Sequence, residues 1–367
     1  MRRRDFLYGA GATTLLLGSR LRAELKRGRL DEAASLVQGF VDNGKLRAAT
    51  VHVRQGSFTF RRAFGAAKTP DAVFLLASIS KPMTATGLMA LSDRGELALS
   101  DAVRKFIPEF NEGDRKLITI QHLLTHTSGL PDQLPNNAEL RRQNAPLKEF
   151  VAGAVKTPLL FKPGSEVKYQ SMGILLAAEV AERITKKRFR DFLDEVLYRP
   201  LGMSRSALGL GKFEVSETAQ CQVEDATGLD GGGGPGTEHW NWNSPYWRDL
   251  GSPWGGAHST GPDVAKFLEY FLDPDGRVVK PATAKAMITN QNTGLSTPWG
   301  IGWSLRPGSF AKACSETAFG HSGSTGTMAW ADPKTKLSCV ILTTLPARDS
   351  NKTIVRPVSD LVSESAA

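Results

Sequence analysis

Nine residues, Leu75-Leu76-Ala77-Ser78-Ile79-Ser80-Lys81-Pro82-Met83, constrain this chain more than any other stretch. Val73 to Ala77 is short and apolar enough for a buried strand, and Met83 to Leu91 is a good helix former, so Ser78 falls where strand becomes helix. Lys81, three residues on, projects from the same helical face as the Ser78 hydroxyl. A serine hydroxyl is a weak nucleophile at neutral pH, and a lysine desolvated in a cleft can supply the unprotonated amine it needs as a base. Two further Ser-x-x-Lys pairs, Ser165/Lys168 and Ser309/Lys312, each follow a Pro-Gly turn and read as loops. The simpler reading at Ser78 is a helix cap beside a solvated lysine, since serine is a preferred cap.

With 367 residues, 41% of them hydrophobic, the chain can bury a large core. Its formal charge of +9 falls to +5 once the five arginines and one aspartate of the first 23 residues are set aside. No later basic run is interleaved with aromatics, which argues against a nucleic-acid partner. The N-terminus itself, Arg3-Arg4-Asp5-Phe6-Leu7 followed by apolar Leu7 to Gly18 and Ser19-Arg20-Leu21-Arg22-Ala23, resembles a twin-arginine export signal. It predicts a periplasmic or secreted protein cleaved after Ala23, or one held at the membrane only through an uncleaved signal. Cys221, Cys314 and Cys339 show no Cys-x-x-Cys pattern and read as core residues, although a Cys314–Cys339 disulfide is open to them. His122 and His126 have helical i, i+4 spacing but lack the glutamate of His-Glu-x-x-His, so packing and capping explain them without a metal.

In chain order, Leu30 to Phe40 reads as an amphipathic helix, and Ala48–Arg54 and Phe58–Phe64 as a hairpin about Gln55-Gly56. Ile118 to His126 reads as a short helix closed by Thr127-Ser128-Gly129. Leu147–Val155, Met172–Thr185 and Phe189–Leu197 are helical in pattern. Thr227 to Gly256, with four consecutive glycines and Trp240, Trp242, Trp247 and Trp254, reads as a long loop: an aromatic wall over a cleft, or a flexible excursion tacked to the surface. Pro262–Leu272 and Pro281–Thr289 follow as helices, Trp299–Leu305, Phe319, Thr327–Ala331 and Leu337–Thr344 as strands, and Asp349–Val362 as a terminal helix. The pattern predicts an α/β chain of the α+β type, with an antiparallel sheet built from both chain ends, flanking helices and an inserted, mainly helical region. The expected divisions are a signal at 1–23, a sheet subdomain at 24–97 and 256–367, and a helical subdomain at 98–255.

A Ser/Lys pair also needs a second proton-transfer group, an oxyanion hole and a substrate-holding strand. Tyr169, in a loop just before a helix, could shuttle a proton if adjacent cations lowered its pKa. His321-Ser322-Gly323 lies directly before the strand at Thr327. In that order, Ser78-x-x-Lys81, Tyr169-x-Ser171 and His321-Ser322-Gly323 resemble the three motifs of the serine β-lactamase and penicillin-binding protein superfamily, particularly its class C branch. Leu97–Phe110, Ile118–Leu130, Phe161–Ile184, Pro200-Leu201-Gly202-Met203 and Trp299-Gly300-Ile301-Gly302-Trp303 carry the same resemblance, from about residue 30 to 345. It implies a DD-peptidase/β-lactamase-like fold. Ser78 would be the acylated nucleophile, Lys81 and Tyr169 the proton carriers, and His321, Ser322 and Gly323 the strand lining the cleft, with the backbone N–H groups of Ser78 and Ser324 as oxyanion hole. No cofactor is implied, and the partner is a small-molecule or peptidoglycan-like substrate.

Two positions depart from the family pattern. Ser171 stands where asparagine is usual, and His321 where lysine is common, which replaces a permanent cation by one charged only when its pKa allows. Both changes favour a serine hydrolase of esters or amides over efficient β-lactam hydrolysis. The alternatives are a D-Ala-D-Ala carboxypeptidase or D-aminopeptidase, a true β-lactamase, and a non-catalytic glycan- or peptide-binding protein. An α/β-hydrolase is excluded, because Gly-x-Ser-x-Gly does not occur.

Overall fold

A computed structural model describes residues 25–227 and 231–366; the export signal expected at 1–23 lies outside them. The elements that frame the site are α1 (Arg27–Asp42), β1 (Ala48–Gln55), β2 (Phe58–Gly65), β3 (Phe74–Leu75), α2 (Ser80–Asp93), α3 (Ile120–Leu124), α4 (Asn137–Arg142), α5 (Leu147–Lys156), α6 (Met172–Thr185), α7 (Phe189–Leu193), β4 (Ala207–Leu208), α8 (Pro245–Leu250), β5 (Ala257–Ser259), α9 (Gly261–Leu272), α10 (Pro281–Met287), β6 (Phe319–Gly323), β7 (Thr327–Asp332) and β8 (Leu337–Thr343).

Both chain ends build the main sheet, as expected: its five antiparallel strands run in the order β2-β1-β8-β7-β6. The register sets Val51 opposite Ile341 and Trp330 opposite Cys339. Alternation of side chains sends these residues toward α1 and the C-terminal helix Arg356–Ser365, while Val340, Leu342, Ala329 and Ala331 join the larger core on the other face. That two-sided cover explains why β8 is buried at every position. Trp330 is fully buried, and its indole donates to Ser359 Oγ at 2.7 Å, fastening sheet to terminal helix.

A second, three-stranded sheet, β3-β5-β4, was not legible in the sequence beyond its first strand. β3 pairs with β5 at Phe74↔Ser259 and Leu75↔His258, then hands over to a single 3-10 turn, Ala77–Ile79, that leads into α2. Three other expectations need correction. Trp299–Leu305 is no strand but a loop with isolated bridges; Gly302, at φ +79°, lies so close to α2 that a Cβ would come within 2.5 Å of the Ala85 Cβ. α3 ends at Leu124, and the left-handed residue beyond it is His126 (φ +61°), ahead of Gly129.

The tryptophan-rich stretch is the third. It is neither one long loop nor a flexible excursion: it contains α8, capped by Ser244 and ended by Gly251 at φ +66°, and all four tryptophans are buried. Arg248, fully buried on α8, fastens it. Its guanidinium donates to Trp242 O (2.6 Å), Thr218 Oγ1 (3.0 Å), Ala219 O (3.0 Å) and Asn243 Oδ1 (2.9 Å). The Asn243 side chain in turn exchanges two hydrogen bonds of 2.8 Å with the Cys221 backbone. Removing the guanidinium would strand several buried acceptors, each costing about 1–3 kcal/mol. Arg248→Met is therefore expected to destabilise the protein by about 3–5 kcal/mol in urea unfolding followed by tryptophan fluorescence. An unchanged midpoint would remove Arg248 from this role.

Candidate active site

Ser78 sits on the 3-10 turn between β3 and α2, where the sequence placed it. The residue before it, Ala77, adopts φ +49°, an unfavourable conformation for a non-glycine residue. Neighbours hold it there: Ser80 Oγ donates to Ala77 O at 2.6 Å and accepts from Ala257 N at 2.9 Å, so α2 and β5 grip the turn together.

Lys81 is 1% exposed, and its Nζ donates to Ser78 Oγ and to Trp254 O, both at 3.0 Å. The acceptor at Trp254 is fixed by Thr84, whose hydroxyl donates to Pro253 O at 2.7 Å. Burial lowers the Lys81 pKa to about 7, against a smaller upward pull from Asp132. An amine close to half deprotonated near neutral pH thus lies within hydrogen-bond reach of the serine. The cap-and-solvated-lysine reading fails on this burial.

Tyr169 reaches the same point from the loop before α6. That loop is laced to the end of α3: Gly164 N donates to Thr127 O (2.8 Å), Lys168 N to His126 O (2.9 Å) and Gln170 N to His126 Nδ1 (3.3 Å). The ring lies 4.6 Å below Lys81 Nζ, and Tyr169 lines the same pocket as Ser78. Although 37% of the residue is exposed at the pocket mouth, its hydroxyl sits among protein atoms, and desolvation pushes its pKa up. The expectation that adjacent cations would lower it is wrong. Lys81 is the group brought into the neutral range, and Tyr169 remains a phenol.

The β6–β7 hairpin closes the other side. Thr325 Oγ1 donates to Leu75 O and Thr327 Oγ1 to Leu76 O, each at 2.8 Å, which sets Ser324 in the same pocket as Ser78. A Cβ on Gly323 would stand 2.3 Å from Leu76 O and from Thr327 Oγ1, so only glycine permits this approach. Ser322 and Ser324 are exposed.

His321 differs from expectation. It is 4% exposed; burial, then the charge of Lys81, lowers its pKa to about 3, so it is neutral and offers no charge to an anionic substrate. Its Nδ1 lies 2.8 Å from Ser322 O, which assigns the proton to Nδ1 and leaves Nε2 bare. His321, Tyr169, Trp299 and fully buried His126 form a ring cluster with centroids 4.6–6.1 Å apart. Burial holds His126 neutral as well. His122 instead caps α3, accepting from Thr119 N at 3.3 Å. Among the described residues no cluster of His, Cys, Asp or Glu is arranged to hold a metal.

Ser171, the departure in the second motif, donates to Asp132 Oδ1 at 2.6 Å. Asp132 lines the pocket, as do Asn137, Trp242, Trp247 and Trp254, and the cavity holds about 150 Å³. The aromatic-wall reading of the tryptophan stretch thus applies to three of its four indoles. Trp240 instead stacks on Arg141, whose guanidinium lies 4.8 Å from that ring and 4.0 Å from Trp247. Sequence reasoning missed Asp132, Asn137 and Trp299 as site residues. Asp132 lies in a loop and Asn137 opens α4, with no local pattern to mark either, while Trp299 stood in a stretch that carried the family resemblance but no site role.

Compared with known proteins, residues 33–360 match the family model described as Beta-lactamase. Penicillin-binding protein 4 of Amycolatopsis lactamdurans is 29% identical over 74% of this chain and 71% of its own length. Esterase EstB of Burkholderia gladioli is 34% identical over 42% of this chain and 45% of its own. The solved structure of EstCE1, described as a hydrolase with promiscuous acyltransferase activity, superposes with a TM-score of 0.75 at 19% identity, covering 92% of this chain and 98% of that one.

The Gly323 contact yields a test of the geometry. Displacing reacting groups by about 1 Å costs on the order of a hundredfold in rate. Gly323→Ala should therefore lose about that much in turnover of p-nitrophenyl acetate, while its far-UV circular dichroism stays that of the parent.

Proposed function

The chain belongs to the β-lactamase family and is a serine hydrolase of that superfamily; on that premise we propose that it cleaves an ester or amide through an acyl-enzyme on Ser78, as a member of the class C-like branch. One observation carries the assignment: Lys81 Nζ, buried and brought to a pKa of about 7, lies 3.0 Å from Ser78 Oγ. In acylation the lysine amine takes the Ser78 proton as Oγ bonds to the substrate carbonyl carbon. The Ser78 and Ser324 N–H groups stabilise the oxyanion. As the intermediate collapses, the bond to the leaving group breaks, and the proton passes from Lys81 through the Tyr169 hydroxyl to the departing oxygen or nitrogen. Water then attacks the acyl carbon, gives its proton back along the same groups, and releases Ser78 and the acid.

Neutral His321 shapes the substrate range. A buried imidazole without charge does little for a carboxylate beside β6, so an ester or amide lacking that carboxylate fits better than a β-lactam or a D-Ala-D-Ala terminus. Because burial keeps His321 neutral, Michaelis constants should not follow its titration between pH 5 and 9.

The pH dependence instead follows Lys81. Its free base is the reactive form and accumulates as pH rises through about 7. The rate of acylation, read as kcat/KM for p-nitrophenyl acetate, should climb about tenfold per pH unit below that point and level off above it. Lys81→Ala should flatten the profile at a rate lower by a thousandfold or more, and Ser78→Ala should abolish the acyl adduct in intact-mass measurement. A wild-type profile flat from pH 5 to 9 would remove lysine from the base role.

We further propose export, on the strength of Arg3-Arg4 and the apolar run behind them. The full chain should fractionate with the periplasm or medium, and the double variant R3K/R4K should remain in the cytoplasm.

A further inference from the structure

Tyr169 rides on a loop, yet a residue that hands a proton to a leaving group has to be held in place to about 0.5 Å. Much of that holding falls on His126. Its carbonyl accepts from Lys168 N at 2.9 Å and its Nδ1 from Gln170 N at 3.3 Å, so one residue clasps the backbone N–H groups on both sides of Tyr169. Its ring also meets the Tyr169 ring, with 4.7 Å between centroids. Around the same phenol ring stand Lys81 Nζ at 4.6 Å and the rings of His321 and Trp299 at 6.0 and 6.1 Å. Gln170 adds bonds of its own, from Nε2 to Leu123 O (3.2 Å) and to Oε1 from Gly173 N (2.6 Å), which pin the far flank. His126 is the residue that reaches both flanks and the ring.

Two features of His126 go beyond filling space. It is fully buried at φ +61°, a region a non-glycine residue enters under strain. Because Nδ1 accepts, the ring proton sits on Nε2, where no described residue takes it. A packing residue would carry neither burden. The end of α3 that bears His126 is fastened from the opposite side: Asn292 Nδ2 donates to Thr125 O (3.1 Å), Gly302 N donates to Leu124 O (2.9 Å), and Trp299 stands edge-on to the imidazole at 4.6 Å. We propose that His126 is a positioning residue for proton transfer, clasping Tyr169 so that its hydroxyl reaches the leaving group as the tetrahedral intermediate on Ser78 collapses. The inference rests on the Ser78 hydrolase reading, with Tyr169 as its proton carrier.

Two acetate esters read that role. p-Nitrophenolate departs without a proton, whereas the alkoxide of trifluoroethyl acetate gains far more from protonation as it leaves. Both esters give the same acetyl-enzyme, so deacylation drops out of the ratio of their kcat/KM values. Tyr169→Phe should lose about a hundredfold or more on the trifluoroethyl ester relative to the p-nitrophenyl ester. His126→Phe keeps a ring and removes the Nδ1 acceptor, while His126→Asn suits the left-handed backbone and removes the ring. Each should lower the same ratio by about tenfold or more, and adding either to Tyr169→Phe should lower it no further. A purely structural contribution would slow both esters alike; circular dichroism and thermal melting show which variants are folded. Equal slowing of both esters by either folded His126 variant, a further fall of the ratio on top of Tyr169→Phe, or failure of both variants to fold overturns the proposal. So does a wild type that cleaves only the p-nitrophenyl ester, or an unchanged ratio in Tyr169→Phe, because either leaves no proton transfer for His126 to position. In each of these cases Ser78→Ala stays inactive. Turnover that survives Ser78→Ala, or a wild type that cleaves neither ester, sinks the hydrolase reading itself and the proposal with it.

Discussion

The structure depends on keeping one lysine dry. Lys81 has its amine between Ser78 Oγ and the Trp254 carbonyl, at 1% exposure, and the chemistry follows from the cost of charging it there. A protonated amine in such a place is disfavoured by desolvation, which is how a group ordinarily cationic becomes a base near neutral pH. The enclosure comes from three distant parts of the chain: α2 itself, the Pro253–Ala257 segment tied to α2 by Thr84 and Ser80, and Tyr169 from the loop laced to α3. Loosening any of them would let water in and return the lysine to its charged form.

Much of the fold was legible because its signals are local. The β1–β2 hairpin, the strand-to-helix change around Ser78, α6 and the C-terminal strands all show their periodicity within a few residues. β4 and β5, two and three residues long, have no period to read; β5 exists because β3 offers it an edge, and β4 because β5 offers the next one. Trp299–Leu305 has a strand-like composition, but Gly302 turns it back over α2. Of the candidate site, Ser78, Lys81, Tyr169, His321 and Gly323 stood out by their motifs, and the fold brings them to one region. Asp132 and Asn137 come from loop and helix with no pattern, and their meaning appears only when Ser171 is seen donating to a carboxylate.

Charge was the least legible property. Histidine at 321 suggested a conditional cation, and tyrosine at 169 a phenol acidified by neighbours. Composition identifies which groups can titrate, whereas burial decides which of them do. In this site burial pushes both rings toward their neutral forms and leaves lysine as the group with a pKa near neutrality.

The tryptophan wall is fastened from behind. Arg248, Asn243 and the Ser244 cap hold α8 and its flanks through bonds to backbone and to Thr218, none of which uses an indole face. Anchor and lining are therefore separate sets of residues. Trp242 contributes its carbonyl to the anchor and its ring to the cavity, so a replacement side chain would keep the bond to Arg248. A scaffold built this way can change its lining by single substitutions in the wall without first losing the loop that presents them, which leaves the pocket free to vary while Lys81 stays enclosed.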